Sequence, residues 1–490
     1  MLILSKEVYI FKERFLALQF LIAGTVFIAG TAFLILKFGY LPPLVPLWYT
    51  LPWGVAQLAD RSILAVLPLL LLLSFFTNLL LTEMFLRRRE KILAQLFTLL
   101  NLMITLLLGF SLYRVVSLVS APGTVPALLE ERFIFPLILA FIFSFFLTFP
   151  TLSLAKKWGL IDNPETHNHP GMLLSKPTPR AGNLPAFLAL ILTTFLFVPP
   201  SSTFYGVLLA GGLMTVVGLI DDKYDLNPYI RLLSQIAAFT IVVLAGVHIT
   251  YIGNPLDGII PLDWTDLKFQ FFGLRHFYLP GDLLTVLWGA ALMNMLSWSN
   301  GVDGQFPGIV FITAIVIGIL GERIILGNPD QLYAVIFSFI AAGAILGTLP
   351  FTWHPSKMLY GFGATAFGLV LAALAILSIA KISVTILILS VPTLDAIFAV
   401  VRRIRRGQSP VWGDRGHLHH KLLDLGWSQR RVAVFYWVIT GFLGLIALYS
   451  SEKDLPLSLL TGGTVAALIL ILANLDETQF SSLIKLRKKN

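Results

Sequence analysis

Long apolar runs recur from residue 15 to residue 474, and no other feature of the sequence constrains its fold so strongly. They fall at 15–36, 62–82, 92–112, 133–154, 183–198, 203–220 and 231–249, then at 282–299, 305–325, 331–349, 362–380, 382–400, 431–450 and 457–474. About 20 apolar residues make one helical crossing of a bilayer. The expected fold class is therefore an all-α polytopic membrane protein with about fourteen transmembrane helices. Composition agrees, since 57% of the 490 residues are hydrophobic and only 12% are charged, whereas soluble domains carry roughly 25% charged residues. A water-soluble globule, a disordered chain and a collagen-like repeat are excluded. The absence of cysteine removes disulfides, thiolate nucleophiles and Cys-ligated metals.

The net charge of +9 is not a nucleic-acid footprint, because the basic residues sit in short clusters beside apolar runs, where they set orientation. Lys6 to Arg14, Arg87-Arg88-Arg89-Glu90-Lys91, Lys156-Lys157, Arg402 to Arg406 and Lys485 to Lys489 all fall on one side when the runs are threaded alternately. This places both termini in the cytoplasm of a bacterial-type plasma membrane. No small-residue cleavage site follows residues 1–14, so the first run reads as a span and not as a removed signal. Residues 1–130 are expected to form an N-terminal extension of about three spans. Residues 131–475 then form an eleven-helix membrane domain, and 476–490 a basic cytoplasmic tail. On the opposite side, Ile249-Thr250-Tyr251-Ile252 and Leu267 to Phe272 suggest one small β-hairpin over 249–272.

Four polar segments on the cytoplasmic side carry the chemistry. In Gly218-Leu219-Ile220-Asp221-Asp222-Lys223-Tyr224-Asp225 the adjacent carboxylates repel and lose hydration, so they call for a cation; with oxygen ligands alone that cation is Mg²⁺. Taken alone, the pair also reads as a solvated acidic loop. Asn294 and Asn300-Gly301-Val302-Asp303-Gly304 end an apolar helix with amides, a carboxylate and glycines that admit a ligand close to the backbone; the glycines alone would equally make a turn. Arg415-Gly416-His417-Leu418-His419-His420-Lys421 gathers three of the eight histidines among cations, a set better suited to phosphate oxygens than to zinc. Lys176-Pro177-Thr178-Pro179-Arg180, after His167 and His169, reads alone as a stiff loop and otherwise adds cations to the same face. Together the four segments describe a site for an anionic soluble substrate reacting with something held in the membrane.

These residues resemble the polyprenyl-phosphate N-acetylhexosamine-1-phosphate transferases, known as glycosyl transferase family 4. The likeness spans roughly 133–475 and is carried by Gly159-Leu160-Ile161-Asp162-Asn163-Pro164, Pro177 to Arg180, Asp221 to Leu226, Asn300 to Gly304 and Arg415 to Gly426. It implies transfer of a sugar-1-phosphate from a UDP-sugar to polyprenyl phosphate in the bilayer, with release of UMP. Asp221 and Asp222 would be the catalytic acidic pair, with Asp303 joining them on Mg²⁺ or Mn²⁺. Lys176, Arg180, Asp225, Asn294, Asn300, Asp303, Arg415, His417, His419 and His420 would bind substrate. Assembly as a homodimer is compatible with the likeness.

Two departures from the family stand out. After His354-Pro355-Ser356-Lys357, where the family carries Gly-Asp-x-Gly-Ser, this chain reads Gly361-Phe362-Gly363-Ala364-Thr365, and an expected Asp-Gly-x-Asp-Gly begins with Asn300. They motivate a second reading, a relative that binds nucleotide-sugar or lipid carrier without turnover. Ion-driven transport is disfavoured, because the ionisable residues gather at one interface and not at the bilayer midplane.

Overall fold

The computed structural model describes residues 13–38, 41–46, 58–120, 125–165, 174, 176–253, 259–270, 274–322, 331–378, 381–412, 415–450 and 455–474. Lys6, His167, His169, Phe271, Phe272, Asp414 and the expected tail 476–490 lie outside these residues. The chain divides into two compact units, Met1–Glu131 and Arg132–Asn490.

In the first unit α1 (Arg14–Lys37), α2 (Val66–Arg87) and α3 (Lys91–Ser120) pack together, and β1 (Leu44–Pro46) pairs with β2 (Leu58–Asp60) between α1 and α2. The helices are apolar outside but share a polar seam. Thr82 and Thr98 hydroxyls meet at 2.8 Å, and Asn101 Nδ2 donates to the Ser74 carbonyl at 3.1 Å. In lipid such bonds hold helices together, because tails offer no competing partner.

The second unit begins within α4 (Val125–Trp158). It continues through β3 (Ile161–Asp162), β4 (Thr178–Pro179), α5 (Asn183–Phe197), α6 (Ser202–Tyr224) and α7 (Pro228–Leu244). After β5 (Tyr251–Gly253), β6 (Ile259–Pro261), β7 (Asp266–Gln270) and β8 (Leu274–Tyr278) come α8 (Leu279–Trp298), α9 (Gln305–Glu322), α10 (Gln331–Thr352) and α11 (Ala364–Leu377). The last elements are α12 (Lys381–Ile388), α13 (Ser390–Arg405), α14 (Leu418–Asp424), α15 (Gln429–Tyr449) and α16 (Leu455–Asn474). Helix α11 is the axis of the unit: every side chain from Ala364 to Ala375 is buried, against α5, α6, α8, α9 and α10. On α10, Gly343 and Gly347 are one turn apart and face α4 so closely that a Cβ at either would collide with the carbonyl oxygens of Leu137 and Phe141. Phe133 on Phe339 and Phe145 on Phe351 continue that contact, with ring centroids 5.4 and 5.2 Å apart.

Each apolar run coincides with helix. Among the described residues eight helices are long and apolar enough to cross a membrane, or nine if one bent pair counts as a span. That pair corrects the expectation of a single span over 382–400: α12 and α13 meet at 85°. Pro392 in the first turn of α13 has no N–H to continue the ladder, and the Ser390 hydroxyl bonds back to the carbonyls of Ile386 and Leu387. The expected single hairpin over 249–272 is also replaced. β5 pairs with β6 and β7 with β8, both antiparallel, at the end of the unit away from the α6–α7 turn. Each pairing closes a short loop, which is entropically cheaper than joining 249–252 to 267–272.

Filling the α4–α10 contact tests this packing. Gly347→Val is expected to destabilise the protein by about 1–3 kcal/mol through overpacking, read as a lowered melting temperature in detergent.

Candidate active site

The acidic segment ends α6. Asp221 is buried, and its carbonyl accepts the Asp225 amide at 2.8 Å as Asp225 turns left-handed at φ 49° and stops the helix. Asn227 then caps α7, accepting from the Tyr229 amide. This tight reversal brings Arg231, one turn into α7, back onto Asp221 and Asp225, with Arg231 Nη2 to Asp225 Oδ1 at 2.6 Å. Asp221 Oδ1 also accepts the Leu226 amide at 3.1 Å.

Asp222, 8% exposed, faces the loop before α11. Its Oδ1 accepts the Phe362 amide at 3.2 Å, and its carboxylate lies against Gly361, where φ is +58° and a Cβ would strike both carboxylate oxygens. Only glycine fits there. Where the family carries an acid, Phe362 lies beneath the Arg231 guanidinium, 5.4 Å from the ring centroid. A short ribbon completes the corner: β3 pairs with β4, and Leu359 bonds the Pro179 carbonyl and receives the amides of Ala181 and Gly182. It sets Arg180 on Asp162, with Arg180 Nε to Asp162 Oδ2 at 3.1 Å, within electrostatic reach of Asp222.

The Asn300–Gly304 turn follows α8. Asp303 Oδ2 accepts from His354 Nδ1 at 2.8 Å and from the Ser356 amide at 3.1 Å, so the His-Pro-Ser-Lys stretch holds this carboxylate. Asn300 Nδ2 reaches the Gly361 carbonyl at 3.4 Å. Asn294, one turn deeper, forms a two-way amide pair with fully buried Gln235 at 2.6 and 3.2 Å.

The histidines arrive at the start of α14, His417 just before the helix and His419 and His420 in its first turn. His417, His419 and His420 are all buried, and the rings of His417 and His419 lie parallel, 5.7 Å apart. The His419 ring rests against Gly301, joining this segment to the Asn300–Gly304 turn. Burial, reinforced by the neighbouring His420 and His417, holds the His419 imidazole well below the ordinary histidine value of 6.5.

These parts enclose one hollow of about 360 Å³. Asp162, Arg180, Asp221, Asp225, Arg231, Asn294, Trp298, Asn300, Asp303, Phe362, Arg403, His417, His419, His420 and Gln429 line it, and Asp222 sits behind the Gly361–Phe362 backbone. Two expected site residues stand elsewhere: Lys176 is exposed and does not line the hollow, and Arg415 pairs with Asp424 at 2.9 Å on the surface. Among the described residues no three carboxylates or imidazoles form a ready metal cage, so Asp221, Asp222 and Asp303 do not meet as a trio. Sequence reasoning missed Arg231, Gln235, Asp395 and Arg403. Arg231, Gln235 and Asp395 interrupt otherwise apolar stretches, and that interruption was the available signal, whereas Arg403 stood in the Arg402–Arg406 cluster read as setting orientation.

The helices are those of a multi-pass membrane protein, and a hollow walled by paired acids, guanidiniums and imidazoles suits anionic groups. Residues 204–379 match the model of glycosyl transferase family 4. A decaprenyl-phosphate N-acetylglucosaminephosphotransferase of Mycobacterium tuberculosis is 30% identical over 69% of this chain and 89% of its own length. A probable undecaprenyl-phosphate N-acetylglucosaminyl 1-phosphate transferase of Bacillus subtilis is 25% identical over 68% and 89%. A phospho-N-acetylmuramoyl-pentapeptide-transferase of Moorella thermoacetica is 28% identical over 64% and 97%. The chain belongs to glycosyl transferase family 4, among the polyprenyl-phosphate sugar-1-phosphate transferases.

The depressed His419 value makes stability depend on pH. Unfolding restores the ordinary value, so the unfolded chain binds the extra proton first and stability falls as pH drops below about 6.5. His419→Gln is expected to flatten the fall in melting temperature between pH 7.5 and pH 5.

Proposed function

We propose that the protein transfers an N-acetylhexosamine-1-phosphate, N-acetylglucosamine-1-phosphate being the leading candidate, from a UDP-sugar to polyprenyl phosphate. This reaction starts a cell-envelope glycan. An oxygen of the lipid phosphate attacks the sugar-bearing phosphorus, the bond from that phosphorus to the bridging oxygen breaks, and UMP leaves. The observation that carries the reading is the single hollow in which Asp221, Asp303 and His419 meet, brought from separate helices to one end of a membrane bundle. The names of the relatives supply the substrates. Phosphoryl transfer is driven mainly by positioning and charge neutralisation. In this hollow Arg180 and Arg403 supply positive charge, and the imidazoles of His417, His419 and His420 supply hydrogen-bonding nitrogens.

The acidic corner fits a hard divalent ion. Asp162, Asp221, Asp222 and Asp225 gather with Arg180 and Arg231, an excess of two negative charges among these groups, and all their donors are oxygen. Mg²⁺ prefers one or two carboxylates together with water and substrate phosphates over an all-protein cage. Asp221 and Asp222 would hold it, and Asp303 contributes charge from the Asn300–Gly304 turn. When bound, the ion neutralises phosphate charge. We assign removal of the lipid phosphate's proton to the Asp221–Asp222 pair, in which Asp221 lines the hollow and Asp222 backs it behind the Gly361–Phe362 loop. We assign residues 131–475 as the catalytic membrane domain, with the hollow cytoplasmic and both termini on that side. Lys156-Lys157 and Arg402 to Arg406 support this, because they end α4 and α13 next to the hollow.

Purified protein given UDP-N-acetylglucosamine, polyprenyl phosphate and Mg²⁺ is expected to form a lipid-linked sugar and UMP. No product with any UDP-sugar and metal would defeat the reading. Asp222→Asn is expected to lower turnover by about 10²–10⁴-fold, the range for a positioned base, with its melting temperature preserved. Chelation is expected to stop the reaction, and added Mg²⁺ to restore it.

A further inference from the structure

Helix α13 carries a carboxylate, Asp395, in the middle of what reads as an apolar run, and it is 7% exposed. Its Oδ2 meets His417 Nδ1 at 3.0 Å, and its Oδ1 accepts the Leu418 amide at 2.9 Å, which fixes the start of α14. On the other side of the same imidazole, His417 Nε2 faces Arg403 Nη2 at 3.4 Å. Arg403, 1% exposed, lies 4.8 Å above the Trp298 ring and donates from Nη1 to the Pro410 carbonyl at 2.7 Å. Both His417 and Arg403 line the hollow, and Asp395 does not.

The donor inventory settles how this chain is wired. An ionised carboxylate only accepts and a guanidinium only donates. The contact with Asp395 therefore needs a proton on His417 Nδ1, and the contact with Arg403 needs a lone pair on Nε2. A single neutral tautomer satisfies both. We propose that Asp395 is a positioning residue that locks His417 as the Nδ1–H tautomer, so that His417 in turn orients the Arg403 guanidinium toward an anionic substrate group. Other charged or titratable groups beside this chain are His419 and His420 from α14, Tyr436 from α15 and Arg402, whose guanidinium lies against Gly416.

The proposal rests on the reading of the hollow as substrate-binding, but its central claim can be measured without substrate. Full-length protein carrying ¹⁵N-histidine, with His417 assigned by difference against His417→Gln, is expected to show the Nδ1–H tautomer. In Asp395→Asn the amide oxygen still accepts the Leu418 N–H, which turns the amide –NH₂ toward the imidazole. The proton is then expected to move to Nε2, against Arg403, and kcat/KM to fall on the order of 10- to 100-fold, as when a carboxylate that orients an imidazole is lost. An Nε2–H tautomer in the unaltered protein would overturn the proposal even if the variant fails to fold. So would a variant with the switched tautomer and undiminished turnover. Absence of transfer by the unaltered protein counts instead against the transferase reading.

Discussion

Charge inside a lipid-solvated bundle must be matched, and this single requirement organises the functional end of the molecule. An unpaired buried carboxylate loses its hydration without return. Here Asp162 has Arg180, Asp221 has Arg231, Asp303 has His354 and Asp395 has His417. The partners come from different helices or from the loops between them. Each pair therefore works as a cross-link, and together they fix the loop geometry that a bare turn sequence leaves loose.

The same pairing makes the hollow chemically two-faced. Four acids with two guanidiniums leave one corner short of positive charge, whereas another wall carries the Arg403 guanidinium beside three clustered imidazoles. A diphosphate with a divalent ion suits that division, because its own charges complete both faces. Preorganisation of this kind accounts for much of the rate in reactions where the protein forms no bond to the substrate.

Much of this was legible before any coordinates. Apolar periods located the helices, and the Asp221-Asp222, Asn300–Gly304 and His417–His420 segments all reach one hollow. The wiring between them was not legible, because its partners are remote in the chain: 51 residues separate Asp303 from His354, and 59 separate Gln235 from Asn294. Asp395 and Arg231 were hidden for a different reason. A hydropathy window averages a lone charge into its apolar neighbours, so it records a span where the chain has placed a buried ion pair. The two β-hairpins show a further limit, since only the stretches near β5 and β7 were legible, while their partners β6 and β8 follow from the short loops that pair them.

The bend between α12 and α13 makes the following segment a ruler. Asp395 and Arg403 meet the two nitrogens of one imidazole from positions eight residues apart on a single helix. Adding or removing one residue between them would rotate everything beyond it by about 100° and turn the guanidinium away from the ring. Descendants of this chain can therefore exchange side chains along the outer surface of α13 while its length between those two positions stays frozen.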